Sequence, residues 1–132
     1  MEETTLELVK QWLIKANNDL QVIENELNSA EPVMDAICLH AQQAAEKFLK
    51  TFLVAHNIDY PQTHNISAIL NLCRSKDEQF IDLKQSITLS KYATDFRYPA
   101  DFYIPDLEEA KEAYQLSLKV KDFVLEKLKL LQ

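Results

Sequence analysis

The chain has 132 residues, a formal net charge of −7 and no glycine. An ordinary protein contains about 7% glycine, and its absence excludes P-loops, dinucleotide-binding fingerprints and G-x-S-x-G nucleophile elbows, which all need glycine at fixed positions. Because 21 acidic residues outnumber 14 basic ones, no broad positive field is available to collect nucleic acid, and any nucleotide chemistry must be local.

The first predicted element is a long amphipathic helix. Its apolar residues alternate at spacings of three and four, which is typical of one helical face, and they predict a helix of about 25 residues. Thr4 or Thr5 is the expected N-cap. Asn28, Ser29 and Pro32 end the helix, and Asn28 is the residue expected to take a left-handed cap in a chain without glycine. The apolar residues are Leu6, Val9, Leu13, Ala16, Leu20, Ile23 and Leu27.

A second helix is predicted over residues 33–56, followed by a connection and a short helix. Pro61 disfavours helical geometry at Tyr60, so residues 58–64 form the connection. The short helix covers residues 65–73. The apolar side of the second helix consists of Ile37, Ala41, Ala44, Ala45, Phe48, Phe52 and Ala55, and that of the short helix consists of Ile66, Ile69, Leu70 and Leu72.

Two further helices complete the prediction. Residues 77–95 are expected to form a fourth helix, and residues 97–105 form an aromatic-rich loop that contains two prolines. The last helix covers residues 106–130, with Asp106 and Glu109 as a capping pair at its start. The apolar residues of the fourth helix are Phe80, Leu83, Ile87, Leu89 and Tyr92.

Four long helices and one short one, with no predicted strand, indicate an all-α fold. Short connections make neighbouring helices antiparallel, so we expect one domain over residues 1–132, built as an up-and-down four-helix bundle with an additional short helix. The last helix is apolar nearly all the way round, which favours a second buried face and a homodimer. Its apolar residues are Ala113, Tyr114, Leu116, Leu118, Val120, Phe123, Val124, Leu125 and Leu128.

The second helix carries a row of polar side chains on one face. His40, Gln43, Lys47 and Lys50 follow spacings of three, four and three, which places them together. One interpretation is a solvated surface. The other is an anion or nucleotide subsite, because imidazole titrates near neutral pH and lysine supplies point charges for phosphate. Glu46 is expected to form ion pairs on the helix surface rather than to act as a base.

The remaining histidines have both structural and functional interpretations. His64, just before the short helix, either holds the turn or faces the same cleft as His40. His56 is expected to place a favourable positive charge at a helix C-terminus. Cys38 and His40 point to different faces of the helix, and the sequence contains neither Cys-x-x-Cys nor His-x-x-x-His. We therefore predict no metal and no cofactor.

The loop that begins at Arg97 and Tyr98 contains one of only two arginines. One interpretation is a loop packed by aromatic rings, with Arg97 covering a helix C-terminus. The other is a guanidinium that recognises phosphate in bidentate geometry, beside aromatic faces for a base. No Ser, Cys or Thr has a neighbouring base that would mark a nucleophile.

Several of these segments together resemble the HEPN (higher eukaryotes and prokaryotes nucleotide-binding) family. They are WLIKA at residues 12–16, followed by Asp19 and Leu20, HAQQAAEKFLK at 40–50, Thr63-His64-Asn65 and Arg97-Tyr98-Pro99. The resemblance covers nearly the whole chain in the family's order. It implies a helical bundle of four to five helices that commonly dimerises. It also implies a small prokaryotic protein often encoded beside a minimal nucleotidyltransferase, in some cases as a toxin–antitoxin pair.

The resemblance also bears on ribonuclease activity. Many HEPN proteins are metal-independent ribonucleases, with an Arg followed by four to six residues and then a His. Arg97 occupies the position of that Arg, but no His follows His64 in the sequence, so the catalytic His of the motif is missing. Three hypotheses remain: a nucleotide- or RNA-binding partner of a nucleotidyltransferase, a degenerate ribonuclease toxin that uses Arg97 with His40 or His64, and a non-catalytic dimerisation adaptor.

The sequence also predicts a compartment. Its N-terminus is acidic and lacks the basic start and apolar run of a secretion signal, and no stretch approaches the ~20 apolar residues of a membrane span. Cys38 and Cys73 are far apart. We therefore expect a cytoplasmic protein with free thiols and no membrane association.

Overall fold

The computed structural model describes residues 1–93 and 103–131, and within them the chain forms four α-helices and one 3-10 helix, with no strand. This confirms the predicted all-α fold and the order of four long helices and one short one. The elements are α1 (Glu3–Leu27), α2 (Met34–Ala55), α3 (Ile66–Lys76), the 3-10 helix (Glu78–Ala93) and α4 (Leu107–Lys129).

The first two helices form an antiparallel pair. Near the start of α1, the Thr5 hydroxyl donates to Asn57 Oδ1, just beyond the end of α2, at 3.3 Å. The α1 side of the interface buries Val9, Ala16, Leu20 and Ile23, as the apolar spacing predicts. α2 in turn packs against all the other helices, and Phe48 at its centre is fully buried. The bundle is therefore organised around α2, which also carries the predicted polar row.

The predicted caps of α1 are wrong at both ends. The helix begins at Glu3 with Glu2 at the N-cap and no side-chain capping bond; Thr5 lies inside the helix and binds Asn57 instead. Asn28 has φ −91°, a right-handed conformation. Residues 28–31, just before Pro32, are exposed. The chain therefore has no buried surface directly after α1, and the helix ends without the tight chain reversal that a left-handed cap provides.

Among the described residues the left-handed one is Asn57, at the end of α2, with φ 57°. Its N–H donates to Val54 O at 3.0 Å, and the N–H of Ile58 donates to Leu53 O at 2.9 Å. These two bonds define a Schellman motif, a helix end that usually takes glycine. Asparagine therefore fills the glycine position of this chain after the second helix and not after the first.

α3 begins as predicted and is longer than predicted. The Asn65 side chain accepts from the backbone N–H groups of Ser67 and Ala68, which satisfies donors at the helix start. The helix continues to Lys76 rather than ending at Cys73, because Cys73 is itself a buried residue in the same row as Ile66, Ile69 and Leu70. Leu72, which we assigned to the apolar side, is half-buried.

The predicted fourth helix is a 3-10 helix rather than an α-helix. Its buried side chains recur at every third residue, which matches the three residues per turn of a 3-10 helix. Ser86 occupies this row, and Ile87, which we assigned to the apolar face, is exposed. The Ser86 hydroxyl donates to Leu83 O at 2.6 Å and so enters the core with a partner. The row consists of Phe80, Leu83, Ser86, Leu89 and Tyr92.

α4 runs antiparallel to the 3-10 helix. At its start Asp106 accepts from the Glu109 N–H at 2.8 Å, which confirms the predicted N-cap. Tyr92, at the end of the 3-10 helix, donates to the Glu109 carboxylate at 2.5 Å. At the opposite end Lys127 pairs with Asp77 at 2.7 Å. The core stripe consists of Ala110, Ala113, Ser117, Val120, Val124 and Leu128.

The loop segment with Arg97 and Tyr98 lies outside the described residues. None of the helices in the described ranges has both the length and the apolar character needed to cross a lipid bilayer.

Candidate functional site

The first half of the candidate site is an Asp19 cluster, formed by Asp19 of α1 with His40 and Lys47 of α2. Asp19 Oδ1 lies 2.8 Å from His40 Nδ1, and Asp19 Oδ2 lies 2.6 Å from Lys47 Nζ. The carboxylate side chain is only 8% exposed, whereas His40 and Lys47 are 28% and 27% exposed. A buried carboxylate therefore holds an imidazole and an ammonium that both still reach the surface.

The second half is a Glu46 cluster, formed by Gln42, Glu46 and Lys50 of α2 with His64 of the following connection. Glu46 Oε2 receives Lys50 Nζ at 2.9 Å, and Glu46 Oε1 lies 2.8 Å from His64 Nδ1 and receives the Gln42 amide at 2.9 Å. Gln42 also donates to His64 O at 3.4 Å. These contacts tie the connection before α3 to the central helix.

Burial and hydrogen bonding act in opposite directions on Glu46. Burial by itself raises the pKa of the Glu46 carboxyl, because it penalises the charged form. Hydrogen bonds from Lys50, His64 and Gln42 outweigh the burial and hold the pKa below its ordinary value. Glu46 is therefore a permanently ionised acceptor at neutral pH, not a proton-transfer group.

The two carboxylates fix the tautomers of the two imidazoles. An ionised carboxylate can only accept hydrogen bonds, so the Nδ1 atoms of His40 and His64 must carry their protons. In the neutral ring the lone pair then lies on Nε2, where it can accept a proton or a hydrogen bond. Each histidine can thus exchange a proton at Nε2 while Nδ1 stays attached to its carboxylate.

The two clusters adjoin along α2. Lys47 and Lys50 are three residues apart and therefore neighbours on the helix surface, and Gln43, half-buried, lies on the same face one turn before Lys47. We call this face the α2 strip: the Asp19 cluster, Gln43 and the Glu46 cluster. The interpretation of the row as solvated surface is wrong for Lys50, which is 8% exposed, because Glu46 draws it into the protein.

His64 and His56 differ in their exposure and in their surroundings. The His64 side chain is 63% exposed and lines a hollow of about 520 Å³ together with Thr63, Ser90 and Lys91. His56 packs its ring against Phe52 with centroids 4.4 Å apart. Burial and the nearby Lys76 lower the pKa of His56, so the expectation that it places a positive charge at the end of α2 is wrong.

The remaining predicted groups contribute little to the described site. Arg97 and Tyr98 are outside the described residues, and their role stays a prediction. Within the described ranges no group of three or more His, Cys, Asp or Glu side chains is arranged to hold a metal ion. Cys38 and Cys73 are buried free thiols, and burial raises their pKa values to about 11 and about 12, which makes both poor nucleophiles.

Sequence reasoning named Asp19 only within the family motif and gave its carboxylate no role, and it misjudged the position of the Glu46 carboxylate. Asp19 lies three residues after Ala16 and next to Leu20, so the apolar spacing of α1 already places it at the buried side of the helix. A charged side chain at such a position is almost always paired, and that signal could have found the cluster. Glu46 does form the predicted ion pair with Lys50, but at a buried site rather than on the helix surface.

The fold and the site define an all-α bundle whose central helix carries polar, carboxylate-held side chains. Residues 9–128 match the family model described as the HEPN domain. The chain therefore belongs to the HEPN family, as its motifs suggested, and membership supports a role in binding nucleotides or RNA or a ribonuclease-like role. Searches of curated proteins and of solved structures found no significant match.

Proposed function

We propose that the protein is a nucleotide- or RNA-binding HEPN module that works with a minimal nucleotidyltransferase, in a toxin–antitoxin-like two-component system. The observation that carries the proposal is the α2 strip, where two buried carboxylates hold two lysines and two imidazoles side by side. Ammonium and imidazolium groups are the usual partners of phosphate. HEPN membership supports the same ligand class.

The charges of the strip make phosphate binding depend on the histidines. In each cluster one carboxylate and one ammonium cancel, so a neutral imidazole leaves no net charge to attract a phosphate. Protonation of His40, which faces Asp19 and Lys47, adds one positive charge to its cluster. Protonation of His64, which faces Glu46 and shares a hollow with Lys91, does the same. An imidazolium at either position would therefore give its cluster a net positive charge toward a phosphate.

Calorimetry tests the site assignment. AMP, ATP and short single-stranded RNA would be titrated into the protein, and the heat of binding would give the affinity for each ligand. A hydrogen bond to a charged group contributes about 1.5–3 kcal/mol, so Lys47→Ala should weaken binding about tenfold or more. Lys129→Ala, at an exposed lysine of α4, is the matched control. Absence of binding, or equal binding by the wild type, Lys47→Ala and Arg97→Ala, would refute the assignment.

The partner has its own test. A neighbouring gene for a small protein with a Gly-Ser and paired-Asp nucleotidyltransferase signature would identify the candidate. Its product should co-purify with this chain and remain bound during size-exclusion chromatography. Failure of the two purified proteins to form a complex at micromolar concentration would contradict the partnership.

The homodimer is proposed to use the outer side of α4. Leu118 is half-buried there and lines a groove of about 700 Å³ together with Phe123 and the exposed Leu130. A second copy would cover this apolar surface. Light scattering should give twice the monomer mass for the wild type and the monomer mass for Leu118→Glu. A monomeric wild type at high micromolar concentration would contradict the proposal.

Ribonuclease-like activity is a second candidate, favoured by the two carboxylate-held imidazoles. Cleavage requires a base for the ribose 2′-hydroxyl and an acid for the leaving oxygen, and His40 and His64, with Arg97, are the candidate groups. Purified protein should then cleave RNA, and His40→Ala or His64→Ala should stop it. RNA left intact by the wild type would exclude this candidate. Unchanged behaviour of His40→Ala, Lys47→Ala and Arg97→Ala in every assay would favour a non-catalytic adaptor.

A further inference from the structure

Two aromatic side chains lie directly beside the Glu46 cluster. Trp12 of α1 and Tyr60 of the connection after α2 meet edge to face, with ring centroids 5.3 Å apart and an interplanar angle of 83°. Lys50 Nζ, which Glu46 holds, lies 5.3 Å from the centroid of the Tyr60 ring. The aromatic pair and the charged cluster therefore share Lys50.

The exposure of these rings separates them from the core aromatics. Phe48, Phe52 and Phe80 are almost completely buried, whereas Trp12 and Tyr60 both keep intermediate exposure. Packing within the protein therefore leaves part of each of the two side chains exposed. Partly exposed aromatic rings next to a lysine are the arrangement with which proteins stack nucleobases.

The spacing along the helices places these rings in line with the phosphate-binding groups. Trp12 precedes Asp19 by seven residues, which is two turns, so both lie on the same side of α1 about 10 Å apart along its axis. On the antiparallel α2 the order is Lys50, then Lys47, then His40. The aromatic pair is thus at one end of the α2 strip and the Asp19 cluster at the other, a separation comparable with the length of an extended nucleoside monophosphate.

We propose that Trp12 and Tyr60 form a nucleobase subsite at the end of the α2 strip. A nucleotide would lie with its base against these rings and its phosphate toward Lys47 and His40, with Lys50 between the two. The inference rests on the proposed nucleotide-binding function and deepens it, because it assigns the base and the phosphate to different groups of residues.

The single tryptophan of the chain provides a direct probe, since all tryptophan emission comes from Trp12. AMP and ribose 5-phosphate carry the same phosphomonoester, and only AMP carries a base. AMP should bind about tenfold or more tightly than ribose 5-phosphate, given the strength of base stacking on aromatic rings, and should quench the emission. Ribose 5-phosphate should bind without quenching.

Variants at Tyr60 separate stacking from folding. Tyr60→Ala should weaken AMP binding about tenfold and leave ribose 5-phosphate unchanged, whereas Tyr60→Phe, which keeps the ring, should bind AMP as the wild type does. Tyr114→Ala is the matched control, because Tyr114 bonds Glu24 of α1, about 18 Å along the axis from Trp12. Because the comparison of ligands and the quenching use the wild type, they remain decisive if Tyr60→Ala fails to fold.

The outcomes distinguish this inference from the function on which it rests. Equal affinity for AMP and ribose 5-phosphate with unchanged emission would overturn the base subsite and leave the phosphate site in place. Preferential binding of AMP that Tyr60→Ala does not weaken would also overturn it, since the base would then bind elsewhere. Absence of binding by both ligands would refute the proposed function and the subsite together.

Discussion

Replacing Glu46 with glutamine removes the negative charge at the centre of the buried Glu46 cluster. Lys50 is as buried as Glu46, with 8% of each side chain exposed. Glu46→Gln keeps the shape and one acceptor oxygen but leaves the Lys50 ammonium without an opposite charge. The variant therefore isolates the electrostatic part of the cluster.

The expected loss is large. Removing one partner of a buried ion pair costs about 3–5 kcal/mol, and because the glutamine carbonyl can still accept from Lys50 or His64, we expect about 3 kcal/mol, the lower end of that range. For a total stability of about 5–15 kcal/mol this is a substantial fraction. With urea slopes of about 1–3 kcal/mol per molar, the unfolding midpoint should fall by about 1–3 M.

Urea unfolding followed by circular dichroism measures this loss, with two controls. Glu126→Gln breaks a pair with Lys129 whose side chains are 72% and 69% exposed, and such pairs contribute less than about 1 kcal/mol. The double variant Glu46→Gln with Lys50→Met removes both charges and should recover most of the loss. A loss below about 1 kcal/mol for Glu46→Gln, or no recovery in the double variant, would refute the reasoning.

The same variant should change the response to acid. Because the pKa of Glu46 is lower in the folded protein than in the unfolded chain, its contribution to the free energy of unfolding is complete above the unfolded pKa and disappears as pH falls through the folded pKa. The stability difference between the wild type and Glu46→Gln should therefore shrink as pH falls from 7 to below about 4. A difference that stays constant over this range would contradict the assigned ionisation.

Three further predictions follow from the backbone and from the thiols. Asn57→Ala should be less stable than Asn57→Gly by about 1–2 kcal/mol in urea unfolding, because both lose the bond to Thr5 and only alanine is strained at positive φ; equal stabilities would contradict the Schellman assignment. Asp106→Ala should cost about 1 kcal/mol by the same measurement, since it removes the N-cap of α4, and a neutral effect would count against that cap. Cys38 and Cys73 should react with a disulfide reagent at pH 8 only after addition of denaturant, because burial raises both pKa values; rapid reaction of the folded protein would show that the thiols are accessible.

The helices and most of the core could be predicted because they depend on local periodicity. The seven apolar positions assigned to α2 are all buried, and Asp106 caps α4 as its position before an apolar helix suggests. The predicted α-helical form was wrong for Glu78–Ala93, because spacings of three satisfy both the α and the 3-10 period. Only Ser86 in place of Ile87 distinguishes the two rows.

The site was harder to predict because its bonds join distant parts of the chain. His40 and Lys47 could be placed on one helix face from their spacing, but their shared partner Asp19 lies more than 20 residues earlier. His64 likewise meets Glu46 only because the connection after α2 folds back on the helix. Periodicity shows on which face of a helix a residue lies, but it does not show which residue of another segment that residue contacts.

The 3-10 helix also determines how far a short segment can reach. With a rise of about 2.0 Å per residue, its 16 residues extend about 32 Å, nearly the ~35 Å of the 23 residues of α4. As an α-helix the same segment would extend only about 24 Å. The pair of helices is held at one end by Asp77 with Lys127 and at the other by Tyr92 with Glu109. An α-helical segment would be too short to make both contacts. The 3-10 form thus gives this segment nearly the same length as α4, although it has fewer residues.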